Sequence, residues 1–555
     1  MQVLKNKIKI EYIIVVILLL GGLFLVNFHP SDWLNLKHVS HYNERRLIEI
    51  CLLLILAMMI IIPSTWQKNN IKTIESLSLS SRLVLLSLLV LALLSVNQSI
   101  YVRYAWAEFG LSMLIFIAMF SVATMRNQLP KFDQWTMILI SIIVGVFTLK
   151  ALAYGISGHV YYGLDVALKV VKLDFTNPRF FGQLQSWTLP LLAFPVIYFW
   201  QRAKYLFSML AMLVLASWYT LLIFSETAGS WLGVFGASIT LLLIFRKAAL
   251  SWIKVQALAM LLGIFMYWSI VNTEKSAFDI DPTLFWSITI LSLVVLTYFA
   301  SRLQNKVLWK VGKETLSVLS ILLIAVIFSL AYISIEIISD IVQLVYNFFL
   351  TDIVGDGRWI MWRSSLELSF QNPWLGIGPH HFSHYMKAGH PHMSLLQLLV
   401  EYGWPFFILL VSLIIWGFVS WCKGVLNRID THTKTRDIAL TAALVSAFLH
   451  SLVSGIIVMP LSQFMLILVV GWVMGIHYSD SRKMLINHYP IKSILLTLGM
   501  LVVSIIFVAS IQPEVQLILQ GPYDGIIEFK YDPTMLHPRF WHQGVLPWIL
   551  LPYEL

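Results

Sequence analysis

Charge is what this chain has least of. Asp, Glu, Lys and Arg make up 12% of its 555 residues, while 59% are hydrophobic; a water-soluble domain devotes roughly a quarter of its residues to charge. The deficit excludes a soluble globular class and leaves an integral membrane protein. Cysteine is nearly absent as well. Cys51 and Cys422 both lie in or beside apolar stretches, so there is neither a disulfide framework nor a cysteine metal site. Strict apolar-polar alternation is missing, which excludes a membrane β-barrel. Internal repeats and low-complexity segments are missing too. No basic run interleaved with aromatics offers a nucleic-acid surface; the net charge of +10 is spread over short loops, where it reports membrane orientation.

What the chain has in abundance is apolar runs of about twenty residues, the length a helix needs to cross a hydrocarbon core of ~30 Å. About fifteen spans can be threaded, near 11–28, 47–63, 83–96, 108–124, 136–153, 187–200, 206–224, 230–245, 256–272, 285–300, 315–339, 404–421, 438–459, 461–476 and 493–511. The first follows Lys5, Lys7 and Lys9. It has the basic flank of a signal peptide but a longer core and no small-residue cleavage site, so it reads as a retained signal anchor with a cytoplasmic amino terminus. Alternate loops then carry Lys68, Lys72 and Arg82; Arg126 and Lys131; Arg202 and Lys204; Arg246, Lys247 and Lys254; Arg302 to Lys313; Lys423 to Arg436; and Arg482 to Lys492. This is the positive-inside pattern. Arg45 and Arg46, on the outer side, are its exception.

The expected fold is all-α, a polytopic transmembrane bundle of about 13–15 spans with a long outer loop. Four regions follow: a bundle over 1–339 with an outer loop at 154–186, a loop at 340–403, further spans over 404–511 and an outer tail at 512–555.

The long loop holds GDGRWIMWRSSLELSFQNPWLGIGPHHFSHYMKAGHPHMSLLQLLVEYGWP, from Gly355 to Pro405. Here arginines, histidines and carboxylates gather in a chain that otherwise avoids them, so an active site is expected here. NPWLG is a turn signal. Before it, Arg358 to Gln371 can form a short helix with Asp356 near its start. After it, Pro391 suits the first turn of a helix that Gly403 and Pro405 would close, and Ser394, Gln397 and Glu401 share one of its faces.

Each candidate has a functional and a structural reading. His390 and His392 flank Pro391, which holds them semi-rigidly; imidazole is a general base near neutral pH, or simply a solvated residue at a loop edge. A histidine metal site is a third reading, unsupported by cysteines or an HExxH pattern. Arg358 can bind phosphate oxygens with its planar fork or snorkel at the interface. Arg363 can do the same, but Glu367 at i+4 can satisfy it locally. Arg179, in NPRFFGQLQSW with the amides of Asn177, Gln183 and Gln185 close by, is a functional residue or an interfacial anchor. Glu226 and Glu336 are carboxylates at the span ends to which no role is given. Ionisable residues concentrate in one outer loop and no related halves are evident, which argues against a transporter or flippase.

Arg358, Trp362, NPWLGIGPHHF and HPHMSLLQLLVEYGWP resemble the pattern of the superfamily of O-antigen ligases, O-antigen polymerases and bacterial O-linked oligosaccharyltransferases; HPH with Gln397 and Glu401 is most similar to the pilin type, and NPRFFGQLQSW resembles the upstream family segment. The resemblance implies a GT-C-like, metal-independent, cofactor-free inverting glycosyltransferase of the bacterial inner membrane. It takes a glycan from undecaprenyl diphosphate at the periplasmic face and delivers it to a pilin-like protein, to lipid A-core or to a growing glycan. It further implies His392 as catalytic base, with His390 as its supporting neighbour, and Arg358 as diphosphate ligand; Arg179, in place of a missing family arginine, and Arg363 are taken as further diphosphate ligands, and Gln397 and Glu401 as acceptor or orienting groups. Two departures stand out: the family's asparagine is Met393 here, and SETAGSW lacks the serine-arginine pair expected near that span.

Overall fold

The computed structural model describes residues 41–61, 78–129, 131–162, 178–272, 358–385, 389–428, 430–479 and 490–520. Among them the regular structure is helical: α1 (His41–Ile61), α2 (Leu79–Asn97), α3 (Val102–Gln128), α4 (Phe132–Tyr162), α5 (Pro178–Gln201), α6 (Tyr205–Ser225), α7 (Ala228–Phe245), a 3-10 turn (Arg246–Ala249), α8 (Leu250–Asn272), α9 (Arg358–Gln371), α10 (Phe382–Tyr385), α11 (Ser394–Leu426), α12 (Thr431–Ser451), α13 (Pro460–Ser479) and α14 (Pro490–Gln520). The protein is a polytopic helical membrane protein, with eight stretches among the described residues long and apolar enough to span a bilayer. Every expected span from 47 to 272 and from 404 to 511 coincides with a helix. Those at 11–28, 285–300 and 315–339, with Asp356, Asn177 and Glu336, lie outside the described residues.

Two boundaries differ from the sequence reading. The expected span 438–459 stops as a helix at Ser451, and an eight-residue connection, 452–459, follows. The expected 154–186 loop is shortened from both sides, because α4 runs on to Tyr162 and α5 begins at Pro178.

The helices pack closely where side chains are small. Gly471 and Gly475, one turn apart on α13, bring that helix against Met119, Val122 and Ala123 of α3, and Gly229 and Gly233 bring α7 against His450 and Ser446 of α12. Without a strong hydrophobic drive between helices in lipid, such close approach is what holds neighbours together. Pro190 and Pro195 lie inside α5 without ending it. Trp252 Nε1 and Gln256 Nε2 of α8 donate to the Pro190 and Leu189 carbonyls at 2.9 and 2.8 Å, which ties α8 to α5 beside the prolines.

The two ends of the bundle differ. At one, Arg126 donates to Asp133, Arg428 and Arg436 donate to Asp437, Arg436 also pairs with Asp133, and Trp472 Nε1 donates to Asp133 at 2.7 Å. At the other stand the α2–α3, α6–α7 and 452–459 connections and the motif-bearing loop, beside Arg103 of α3, which pairs bidentately with Glu514 of α14 at 2.6 and 3.1 Å.

Candidate active site

The site starts from a broken helix. Pro405 has no N–H, so the Glu401 carbonyl, four residues back, has no helical donor. Gly403, at φ 81 and ψ 171, leaves the helical region just there, and two strangers take the vacated acceptor: Gly378 N and Ser95 Oγ, both at 3.0 Å. The Val400 carbonyl accepts from Ile377 N at 2.9 Å, and Trp404 N turns to the Pro373 carbonyl at 2.8 Å. The NPWLGIGP turn is thus stitched into the gap in α11. Gly376, at φ 69, permits this because a Cβ there would lie 2.4 Å from the Glu401 carbonyl,. Gln98 Nε2 of α2 donates to the Gly376 carbonyl at 2.6 Å.

His381 fixes the far side of the turn. Its Nδ1 lies 2.8 Å from the Pro379 carbonyl and its Nε2 accepts from Tyr101 N at 2.8 Å. That pairing is satisfied only by the neutral ring with its proton on Nδ1, so His381 is a structural histidine. Buried His380, at φ 72, sets its Nδ1 3.8 Å from Glu108. Burial raises the nearby Tyr385 hydroxyl above its ordinary pKa, keeping it protonated,.

The second histidine pair follows among buried polar groups at the same end of the bundle. Trp362 Nε1 of α9 donates to the Pro391 carbonyl at 3.0 Å. The His390 and His392 rings stand edge to face, centroids 4.4 Å apart, and His392 N donates to His390 Nδ1 at 3.1 Å. His390 is buried and His392 half-buried, with a left-handed backbone at φ 54. An Nδ1 that accepts a backbone N–H leaves His390 its proton on Nε2, so His390 is spent as a base at Nδ1. Pro391 is not in the first turn of the following helix: α11 begins at Ser394 after Met393. Ser394, Gln397 and Glu401 are all buried on its inward face, as their spacing requires.

Arg358 opens α9 and is buried, 4% exposed, close enough to His450 of α12 to act on it electrostatically. His450 Nδ1 lies 2.6 Å from Ser186 Oγ of α5. Gln183, one turn earlier, donates to Ser454 Oγ at 2.8 Å, and half-buried Arg179 sits one further turn back on the same face of α5,. Gln185 points elsewhere, to the Trp218 carbonyl at 3.0 Å. Arg363 is not brought to the cluster. Five residues beyond Arg358 it faces away around the helix, its side chain 72% exposed and paired with Glu367 at 2.8 Å. Glu226 is exposed in the α6–α7 turn.

The sequence reading missed His450, an ionisable residue inside an apolar run that could have been flagged on that ground. It also missed the 452–459 connection. Arg46, which looked like a topological exception, is 1% exposed and donates to Glu49, Gln463 and the Val458 carbonyl, each at 2.5 Å.

Two arginines, two histidines and a polar helix face thus lie at one end of a polytopic helical membrane protein. Residues 283–411, spanning α9, the stitched turn, the histidine pair and the start of α11, match the family model described as O-Antigen ligase. Over that stretch the chain is similar to the O-antigen ligase and polymerase superfamily, which supports glycan transfer of that general type. No curated protein matches the chain.

Proposed function

We propose that this protein is a metal-independent, inverting glycosyltransferase that moves a glycan from undecaprenyl diphosphate to an acceptor hydroxyl at the periplasmic face of the inner membrane, in pilin-type O-linked protein glycosylation. The observation that carries the reading is the asymmetry of the histidine pair: His390 is buried with Nδ1 engaged by the His392 backbone, while His392 is only half-buried, and the helix that Arg358 opens is tied to the pair through Trp362 and the Pro391 carbonyl. In the reaction His392 takes the proton of the acceptor hydroxyl as its oxygen attacks the anomeric carbon. The bond from that carbon to the diphosphate oxygen breaks with inversion, and undecaprenyl diphosphate leaves with the electron pair. Arg358 and Arg179 offset the charge of the departing diphosphate, which needs no metal to do so. Gln397 and Glu401, buried on the inward face of α11, contact the acceptor or orient the pair.

A positioned base contributes a factor of ~10² to 10⁴. His392→Asn, chosen because asparagine tolerates the left-handed backbone, should lower transfer by about that factor in purified protein with lipid-linked donor while donor binding persists. His390→Ala should be milder. Near-normal turnover by His392→Asn would end this mechanism. Ligation to lipid A-core is the second reading, favoured by the family description itself. Offering purified pilin-like protein and lipid A-core side by side decides between them, since each reading expects one acceptor to gain the glycan.

A further inference from the structure

The 452–459 connection between α12 and α13 touches the histidine pair and is itself held from behind. The Ser454 carbonyl accepts from Ser394 Oγ at 3.1 Å, and its hydroxyl accepts from Gln183 at 2.8 Å. Gly455 lies flat against the His390 ring: a Cβ there would sit 2.4 Å from Cε1 and 2.7 Å from Nδ1 and Nε2. On the side away from the histidines, Arg46 grips the Val458 carbonyl at 2.5 Å and Gln463 grips that of Ile457 at 2.8 Å. Val458 N closes the connection on the Gly455 carbonyl at 3.1 Å. Backbone held at both ends by buried side chains has little freedom to move, so its surface is a fixed wall.

We infer that this connection, through Gly455, is the positioning element of the histidine pair. Gly455 sets the plane of the His390 ring, the ring's Nδ1 receives the His392 N–H, and that hydrogen bond holds His392 in its left-handed conformation facing the acceptor. Glycine is required because any side chain would occupy the space of the imidazole. Gly455 and Arg46 touch no reacting atom; they act through His390. The inference rests on the histidine assignment proposed above.

The test is a double-mutant cycle on transfer. Gly455→Ala should lower kcat roughly 10- to 100-fold, the scale of an ångström-sized misplacement, with KM for the lipid-linked donor unchanged. In a His390→Ala background, where the methyl has room, the same substitution should change kcat less than about twofold. Equal losses in both backgrounds would overturn the inference. If Gly455→Ala alone fails to fold, folding of Gly455→Ala/His390→Ala supports the contact, and failure of both variants refutes it. A measurement independent of transfer separates this inference from the function beneath it: ¹⁵N-histidine spectra of the protein in nanodiscs, with His390 assigned by its loss in His390→Gln. They should show His390 protonated on Nε2 in wild type and shifted in Gly455→Ala. An unchanged His390 signal overturns the positioning role even in an inactive preparation, whereas wild type without transfer but with the expected tautomer overturns only the function.

Discussion

Arg358 and Arg363 stand five residues apart on one helix in different media. Arg358 is buried among the site's polar groups, and Arg363 is in a solvent-exposed pair with Glu367. Losing a charge-assisted contact to a partly desolvated phosphate costs on the order of 2 to 4 kcal/mol, whereas an exposed helical pair is worth well under about 1 kcal/mol. Arg358→Ala should lose most transfer, and Arg358→Lys should recover little because a point charge cannot reproduce the fork. Arg363→Ala should stay within about threefold of wild type. Comparable losses at both arginines in well-folded protein would remove Arg358 from the donor site. Trp362→Phe keeps an aromatic side chain but removes the pyrrole ring and with it the bond to the Pro391 carbonyl. It should slow transfer severalfold with little change in thermal midpoint, and a large drop in midpoint would make Trp362 a packing residue instead.

Among the elements, α11 does two jobs that pull apart at Gly403. Its first half, Ser394 to Tyr402, is a buried wall of the site; its second half is a membrane span. The break between them exposes the carbonyls that hold the NPWLGIGP turn, so the turn and the kink are one device. Gly403→Ala would force φ 81 on a residue with a Cβ and set that Cβ 2.6 Å from the Trp374 carbonyl. Holding a residue with a Cβ in this extended positive-φ region, which is nearly exclusive to glycine, costs about 1 to 3 kcal/mol, and the clash adds to it. The expected result is a clearly lowered thermal midpoint in detergent together with lost transfer. An unchanged midpoint would mean that the turn does not depend on the break.

The whole molecule is a bundle whose ends have opposite chemistry. Loops assigned to one side of the membrane by their charge do meet: Arg126, Asp133, Arg428, Arg436 and Asp437 form one network, buried at Arg436 and Asp437 and half-buried at the other three. Burial pulls the Arg436 guanidinium below its ordinary pKa, with Asp133 opposing the shift. Removing one partner of a buried pair leaves an uncompensated charge, at a cost of about 3 to 5 kcal/mol, so Asp437→Asn should destabilise the protein strongly without touching the site. Sidedness can be read directly. With Cys51 and Cys422 replaced by serine, cysteines at exposed Asn372 and Glu226 should react with an impermeant thiol reagent in cells with a permeabilised outer membrane. A cysteine at exposed Lys247 should react only after lysis. The reverse pattern would invert the topology.

The class, the helices behind the expected spans that fall among the described residues, and the helix that carries Arg358 were legible in the chain, because bilayer thickness imposes a run length and helical periodicity imposes a face, and both are local. The sequence also marked Gly403 and Pro405 as a break, Glu367 as a partner for Arg363, and Ser394, Gln397 and Glu401 as one face. Only the tertiary structure decided which polar groups share the pocket. Ser186, Gln183, His450 and Ser454 come from three separate segments, and nothing in local periodicity says that a carbonyl in the 452–459 connection will meet Ser394 or that Gly455 will lie against His390. Arg46 changed meaning for the same reason: charge counting saw a misplaced loop residue, and packing made it the anchor of that connection, because a buried guanidinium must find acceptors wherever the fold brings them,.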